Sequence, residues 1–149
     1  MAHNTKAWQT LADLLASQRS AVLATQEDGR PYCSLMAFVA SADFRTLIIA
    51  TLRATRKYAN LMAEPRVSLL VDNRANQAAD TQGALAVTVM GIATEVDPAA
   101  RGRLEQIFLA KHPHLEDFVR SPDCAIIRIQ VEKYYLVRKF QEVVELAIT

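Results

Sequence analysis

The chain begins with apolar residues at helical spacing and continues with apolar runs of strand length. Residues 4–18, with Asn4 or Thr5 as the cap, carry a stripe that predicts an amphipathic helix; its members are Trp8, Leu11, Leu14 and Leu15. Residues 20–25 and 31–40 are typical of two strands joined by a turn at 27–30. Connections this short favour antiparallel strands, because parallel neighbours need a crossover of about a dozen residues or more.

Residues 46–72 predict a strand, a short helix and a second strand in close succession. The first strand ends at Thr51, and Thr55 is a suitable cap for the helix. Pro65 disfavours helical geometry at the preceding residue, so the helix is expected to stop there. Residues 66–72 then form the next strand.

The second half of the chain predicts one long strand, a helical segment and two final strands. Residues 73–82 are polar and without period, which indicates either a flap over a pocket or a plain surface loop. The apolar phase of residues 83–96 changes at Gly91 and predicts a β-bulge there. Asp97 and Pro98 begin a helix that reaches Lys111, and a further helical turn covers 115–119. Strands at 123–132 and 133–141 and an apolar tail complete seven strands in a single domain, residues 1–149.

Composition narrows the classes of protein to consider. Hydrophobic residues make up 51% of the 149 residues. No apolar run, however, approaches the length of about 20 residues that is needed to span a bilayer. This surplus favours a buried subunit interface. A net charge of +1 argues against nucleic-acid binding. The absence of a secretory pattern and the presence of two cysteines, Cys33 and Cys124, favour core thiols in a reducing cytoplasm.

Cations at the start of the short helix indicate an anion site. Arg56 and Lys57 lie in its first turn, and Arg53 lies just before it. Each opposes the helix dipole by about 0.3–1 kcal/mol unless an anion is bound. An anion would reverse that sign, because free backbone N–H groups and two cations would converge on it. Phosphate is the first candidate, and a solvated loop is the alternative.

Other chemistry-bearing patterns are weak. His112 and His114 flank Pro113 without cysteines or clustered acids nearby, which favours a helix-breaking loop over a metal site. Motifs of nucleotide-binding loops, hydrolases and zinc peptidases do not occur. If the protein is an enzyme, we expect a cofactor to carry the chemistry.

The stretch from Thr55 to Val71, with Thr-Arg-Lys at its start and Glu-Pro-Arg-Val before the next strand, resembles a known signature. It is similar to that of the FMN-binding split β-barrel family, the pyridoxamine 5′-phosphate oxidase-like proteins. The resemblance extends from about residue 20 to residue 96 and more loosely to residue 136. It implies a mainly β (α+β) fold, a six-stranded antiparallel split β-barrel with Greek-key topology and flanking helices. It also implies a homodimer with FMN at the subunit interface.

The resemblance assigns nine residues to the flavin. Three would hold its phosphate, namely Thr55, Arg56 and Lys57. Ala50 and Thr51 would line the ribityl chain. Ser34, Leu35 and Met36, on a neighbouring strand, would contact the flavin. Arg53 would face either phosphate or solvent.

The chain also departs from the true pyridoxamine phosphate oxidases. It lacks the arginine that in those proteins opens the strand where Ser34 and Leu35 stand here, and it lacks their C-terminal segment with Trp and Arg-x-His. Pyridoxamine phosphate is therefore not the expected substrate. The resemblance predicts a cytoplasmic FMN-dependent oxidoreductase whose substrate the sequence does not name. The alternatives are a flavin- or haem-binding carrier or sensor without turnover, and a deazaflavin-dependent reductase on the same fold.

Overall fold

The computed structural model describes residues 2–139 and 141–149 of the chain. The helices are α1 (Ala2–Ser17), α2 (Arg56–Ala63), α3 (Asp80–Gly83), α4 (Pro98–Lys111) and α5 (Glu116–Arg120), with a 3₁₀ turn at Pro113–Leu115. The strands are β1 (Ser20–Glu27), β2 (Arg30–Ala37), β3 (Val39–Ala40), β4 (Thr46–Leu52), β5 (Arg66–Asp72), β6 (Ala86–Glu95), β7 (Cys124–Arg138) and β8 (Glu142–Ala147).

The eight described strands form one antiparallel sheet that curls into a half-barrel. Its order is β2–β1–β5–β6–β7–β4–β3, and β8 pairs with the C-terminal part of β7. Since β1 is followed in space by β5, and β7 lies between β6 and β4, the chain crosses over rather than meandering throughout. The predicted split-barrel class is confirmed. The predicted strand counts, seven from the pattern and six for the family's barrel, are both lower than the eight described.

Two predicted strand segments are divided or joined differently in the structure, and β1 and β6 differ from their predicted bounds by a few residues at their ends. The strand expected over 31–40 is divided at Phe38, whose fully buried ring lies between β2 and β3. The two strands expected at 123–132 and 133–141 are one continuous strand, β7, and the last strand is β8 in the predicted tail. Pairing explains the second error, because Met90 faces Lys133 while Gly91 faces Val131. Glu132 is thus an extra residue that shifts the apolar phase without reversing the chain.

Gly91 is the glycine whose lack of a side chain this bulge requires. A Cβ atom built on it would lie 2.7 Å from the backbone oxygen of Gln130 and 2.7 Å from Cγ2 of Ile129. Any larger residue would push β6 away from β7 at the bend. The prediction of a bulge at Gly91 is therefore confirmed, with the extra residue on the opposite strand.

The core consists of two apolar layers on either side of β4 and β7. The inner layer fills the half-barrel and includes Leu11 and Leu15 from α1. The outer layer lies beneath α4 and includes Leu104 and Phe108. Five consecutive residues of β4 are buried because both of its faces are covered, which explains its unbroken apolar run. The site described below lies at the edge of the outer layer.

Three further features complete the description of the fold. Cys124 is buried as predicted, whereas Cys33 is exposed on β2 because that part of the strand lies outside both core layers. The loop at 73–82 contains the start of α3, and the carboxylate of Asp80 accepts hydrogen bonds from the backbone N–H groups of Ala75 and Gln77. Among the described helices, none has the length and apolar character needed to cross a membrane.

Candidate functional site

The connection from β4 to α2 is a tight loop closed by two hydroxyl groups. Thr55 has extended backbone geometry, and its Oγ1 accepts a hydrogen bond from the backbone N–H of Tyr58 at 3.3 Å. The same hydroxyl donates to the carbonyl of Leu52 at 2.8 Å and lies 3.2 Å from Oγ1 of Thr51. The predicted cap is confirmed, and it fixes the first turn of α2 to the end of β4.

Two backbone N–H groups at this helix start are left without an acceptor in the described chain. They belong to Arg56 and Lys57, since the cap satisfies Tyr58 and the carbonyl of Thr55 satisfies Ala59. Free N–H groups at a helix start carry partial positive charge and favour an anion. The helix thus supplies part of an anion site before any side chain is considered.

A cleft of about 410 Å³ opens beside this helix start. It lies between the ends of β2 and β4 on one side and the segment from α4 to α5 on the other. Six of the nine predicted site residues line it, namely Leu35, Met36, Ala50, Thr51, Thr55 and Lys57. Ser34, Arg53 and Arg56 do not line it.

Lys57 is the cation that faces this cleft. Its side chain is partly buried, and no carboxylate or other acceptor in the described residues pairs with it. A cation that faces a cleft without a partner is available to an anionic group of a ligand.

The two predicted arginines are held away from the cleft by acids. Arg56 donates from Nη1 to both carboxylate oxygens of Glu27, at 2.8 and 2.9 Å. Arg53 donates from Nη2 to Glu95 at 2.6 Å and from Nη1 to the carbonyl of Pro122 at 3.0 Å. Both contacts use acids far away in the sequence, which a local pattern of charges does not show.

Glu95 also organises the inner side of the loop. Its second oxygen accepts a hydrogen bond from the hydroxyl of Tyr58 at 2.5 Å. The hydrogen bond from Arg53 lowers the pKa of Glu95 below its usual value, and the contact with Glu95 raises the pKa of both Arg53 and Tyr58. Asn60 adds a buried tie, donating from Nδ2 to Oγ1 of Thr25 on β1 at 3.1 Å.

Sequence reasoning missed the opposite wall of the cleft. This wall consists of Phe108, His114, Leu115 and Phe118, which come from α4, the 3₁₀ turn and α5. They lie more than fifty residues away from the β4–α2 loop in sequence. Their apolar spacing predicted only a helix and a helical turn. No local signal indicates that these segments cover the ends of β2 and β4.

The two histidines of this segment have different roles. His112 is buried, and its Nε2 lies 2.8 Å from the carbonyl oxygen of Phe38, so it joins the end of α4 to the break between β2 and β3. Burial lowers the pKa of His112 below its ordinary value. His114 is exposed and lines the cleft. In the described residues, no group of three or more histidines, cysteines or acids is placed to hold a metal ion.

The cleft therefore combines a positive end with apolar walls. The positive end is Lys57 with the start of α2, and the walls include Met36, Phe108 and Phe118. Its remaining polar side chains are hydroxyls and one imidazole. This arrangement suits a flat apolar ligand with an anionic group, and it contains no nucleophile activated by a neighbouring base.

Comparison with known structures agrees with the fold. A "fad-binding protein" from Mesorhizobium loti matches with 22% identity and a TM-score of 0.69, over 87% of this chain and 90% of that one. A putative pyridoxamine 5′-phosphate oxidase from Listeria innocua matches with 18% identity and a TM-score of 0.67, over 87% and 96%. A haem-binding protein from Mycobacterium smegmatis matches with 16% identity and a TM-score of 0.79, and the alignment covers 90% of this chain but 55% of that one.

Comparison with sequences gives the family. No curated protein matches the chain significantly. The family model described as pyridoxamine 5′-phosphate oxidase matches residues 7–138, which is most of the 149-residue chain. The chain belongs to the pyridoxamine 5′-phosphate oxidase family.

Proposed function

We propose that this protein binds FMN in the cleft beside α2 and acts as a flavin-dependent oxidoreductase. The observation that carries the proposal is the unpaired Lys57, which faces an apolar cleft next to two free N–H groups of a helix start. Family membership supports a flavin, and a relative of the same fold is described as FAD-binding. The phosphate of FMN is the anion that this corner of the cleft would accept.

The lining residues fit the rest of such a ligand. The hydroxyls of Thr51 and Thr55 lie between the positive end and the apolar walls, where a polyhydroxyl chain would need hydrogen-bond partners. Met36, Ala50 and Phe108 offer apolar contact for a planar ring system. A bound flavin would supply hydride or electron transfer. The residues of this chain would orient it and limit the access of water.

The substrate side of the cleft is the wall from α4 to α5. His114 is the only imidazole among the lining residues and would offer a hydrogen-bonding group to a bound substrate. Phe118 and Leu115 would give that substrate an apolar surface. Nothing in this wall provides a second cation to match a phosphorylated substrate, which agrees with the departure from pyridoxamine phosphate oxidases noted in the sequence.

We further propose a homodimer in which the partner closes the cleft. Two of the large apolar side chains that line the cleft are exposed, Leu35 at 75% and Phe118 at 36%. Exposed apolar patches of this kind mark interaction surfaces. Flavin binding and dimer formation would then be coupled, because the ligand would bury surface on both chains.

The cofactor is tested on the protein as purified. The visible spectrum and the mass of the copurified ligand are recorded, and apo protein is then titrated with FMN and with riboflavin. We expect FMN to bind at least about tenfold more tightly, because riboflavin forms no charge-assisted hydrogen bond at the phosphate position. Equal affinities would contradict a phosphate site, and a deazaflavin mass would replace FMN as the cofactor. Light scattering that shows a flavin-loaded monomer would contradict the shared site.

Enzyme activity is tested separately from binding. Flavin-loaded protein is mixed with NADH or NADPH without oxygen, and an electron acceptor is then added. Repeated turnover would support an oxidoreductase. A flavin that stays oxidised with both donors, and shows no turnover, would support the carrier or sensor that we keep as an alternative.

Haem is the second candidate ligand, and one observation favours it. His114 lies in an apolar cleft with Phe108 and Phe118, and a protein of the same fold is described as haem-binding. Neutral imidazole is a common haem ligand. Haem titration of wild type and His114→Ala distinguishes the candidates. A haem spectrum that is lost in the variant would support haem, whereas tight FMN binding that survives the substitution would support flavin.

A further inference from the structure

A second cleft lies beside α4, apart from the proposed flavin site. It occupies about 390 Å³ between α4 and the outer face of β4 and β7, and it shares no lining residue with the first cleft. Its apolar lining comes from several elements and includes Ile48, Leu104 and Ile107. This volume lies within the range of about 300–1,000 Å³ that is typical of small-molecule sites.

Three arginines and one acid line this cleft. The arginines are Arg45, Arg103 and Arg128, and the acid is Asp43. Counted over side chains alone, the lining therefore carries an excess of two positive charges, although the side chains of the whole chain sum to only +1. The concentration of charge here is larger than the composition predicts.

Asp43 neutralises at most one of these arginines. Its carboxylate accepts from the hydroxyl of Ser41 at 2.7 Å and from the backbone N–H of Arg45 at 3.0 Å. The hydrogen bond from Ser41 and the contacts with Arg45 lower the pKa of Asp43, so it remains ionised at neutral pH. Arg45 lies 4.0 Å from it and also donates from Nη2 to the carbonyl of Thr149 at 2.7 Å.

Arg103 and Arg128 have no such partner. Among the described residues, neither forms an ion pair or a hydrogen bond through its guanidinium group. Arg101, two residues before Arg103 on α4, differs from both because its guanidinium group is fully engaged. It donates to Glu105 at 2.7 Å and to the carbonyls of Cys124 and Val119 at 2.7 and 2.9 Å. Arg101 is therefore held by protein groups, whereas Arg103 and Arg128 are exposed and have no partner among the described residues that would compete with a ligand.

We propose that this cleft binds a small organic anion, a carboxylate attached to an apolar body. The planar guanidinium groups of Arg103 and Arg128 match a carboxylate in geometry and charge. The apolar lining, with Leu104 and Ile107 from α4, would take the hydrocarbon part. A fully hydrated anion such as phosphate would leave that lining unused. This site is independent of the proposed flavin site, because the two clefts have no lining residue in common.

The test uses full-length protein saturated with FMN, and also apo protein. The probe is 8-anilinonaphthalene-1-sulfonate, an apolar anion whose fluorescence rises on binding, and dodecanoate is the competing carboxylate. The variants are Arg103→Gln and Arg128→Gln. The matched control is Arg30→Gln, which removes an exposed arginine in the β1–β2 hairpin that does not line the cleft.

We expect dodecanoate to displace the probe and each cleft variant to weaken probe binding by about tenfold or more, with the control unchanged. The uncharged analogue N-phenyl-1-naphthylamine should bind wild type and variants equally. Equal binding of the anionic probe to all variants would overturn the proposal. Displacement of the probe by FMN would also overturn it, since the probe would then occupy the first cleft. A flavin that fails to bind leaves these expectations unchanged, so the two proposals fail separately.

Discussion

The two sides of the loop before α2 treat their cations differently. On one side Arg53 and Arg56 are paired with Glu95 and Glu27, at 2.6 and 2.8 Å. On the other side Lys57 lines the cleft and pairs with no acid in the described chain. Three cations that look equivalent in sequence therefore divide into two that stabilise the loop and one that is available to a ligand.

The ion pairs of the two arginines explain how the start of α2, with Lys57, keeps its position. Arg53 joins the loop to the end of β6 through Glu95 and to the chain before β7 through the carbonyl of Pro122. The backbone N–H of Arg53 also donates to the carbonyl of Asp123 at 2.9 Å. A binding residue needs a rigid support to hold its geometry. We infer that the pairing of the arginines holds the start of α2 where Lys57 can meet an anion.

The largest effect is expected from Lys57→Ala. The substitution removes one charge-assisted hydrogen bond to the phosphate, worth about 1.5–3 kcal/mol, so FMN affinity should fall about 10- to 150-fold. Riboflavin affinity should stay within about twofold, and apo stability should hold or rise by a few tenths of a kcal/mol as the helix dipole is relieved. Titration of apo protein by flavin fluorescence measures both affinities.

The control for that experiment is Lys6→Ala, which removes an exposed lysine on α1. It should leave both flavin affinities unchanged. If Lys57→Ala weakens riboflavin as much as FMN, the lysine acts on the fold or on the ring system, and the contrast between the two sides of the loop has no bearing on the phosphate.

Local residue choice accounts for the part of the fold that could be predicted. The cap at Thr55 rests on contacts within a few residues, and the unbroken apolar run of β4 on burial of both faces. The phase change at Gly91 is visible within β6 itself, although the contacts that require it are with β7. β7 was divided in the prediction because Glu132, an extra residue at the bulge, shifts the apolar phase as a chain reversal would. Only the partner strand shows that the chain continues.

The site could be predicted on one side only. The end of β4 and the start of α2 are adjacent in sequence, so their residues could be placed together. The wall from α4 to α5 meets them through packing on the outer face of the sheet, to which Phe108, Leu115 and Val119 contribute. The same limit applies to charge, because the acids that engage Arg53 and Arg56 lie 42 and 29 residues away in the chain.

A smaller effect is expected from Glu95→Gln, which removes the ion pair between Glu95 and Arg53. The ion pair with Arg53 is partly exposed, so its loss should lower the free energy of unfolding at pH 7 by about 1 kcal/mol. The folded-state pKa of Glu95 lies below its usual value of 4.5. The contribution of Glu95 to the free energy of unfolding is therefore complete above pH 4.5 and is lost as the pH falls through the lowered folded-state pKa.

Urea unfolding of wild type and Glu95→Gln from pH 7 to pH 3 measures this dependence. The difference between the two proteins should shrink towards the acid end. Glu116→Gln on α5, which breaks an exposed pair with Arg120, is the control and should cost about 0.3–0.5 kcal/mol. A difference between wild type and Glu95→Gln that stays constant down to pH 3 would show that the carboxylate charge is not what Arg53 requires.

The smallest effect is expected from Glu27→Gln, which tests whether the ion pair with Glu27 keeps Arg56 away from the bound phosphate. Glu27 binds only Nη1 of Arg56, and both side chains are about half exposed, so the pair should contribute about 0.2–1 kcal/mol to stability. Removing the acid releases the guanidinium and lowers the negative charge near the start of α2. FMN should then bind about two- to fivefold more tightly, with riboflavin unchanged.

A double-mutant cycle decides whether this gain acts through Arg56. Arg56→Ala alone should weaken FMN less than Lys57→Ala does, because Glu27 already occupies that arginine. In the Arg56→Ala background, Glu27→Gln should give little or no gain, since no cation remains to be released. If Glu27→Gln instead weakens FMN in the wild-type background, Glu27 orients Arg56 towards the phosphate through the remaining guanidinium N–H groups. Arg56 would then belong with Lys57 on the binding side of the loop.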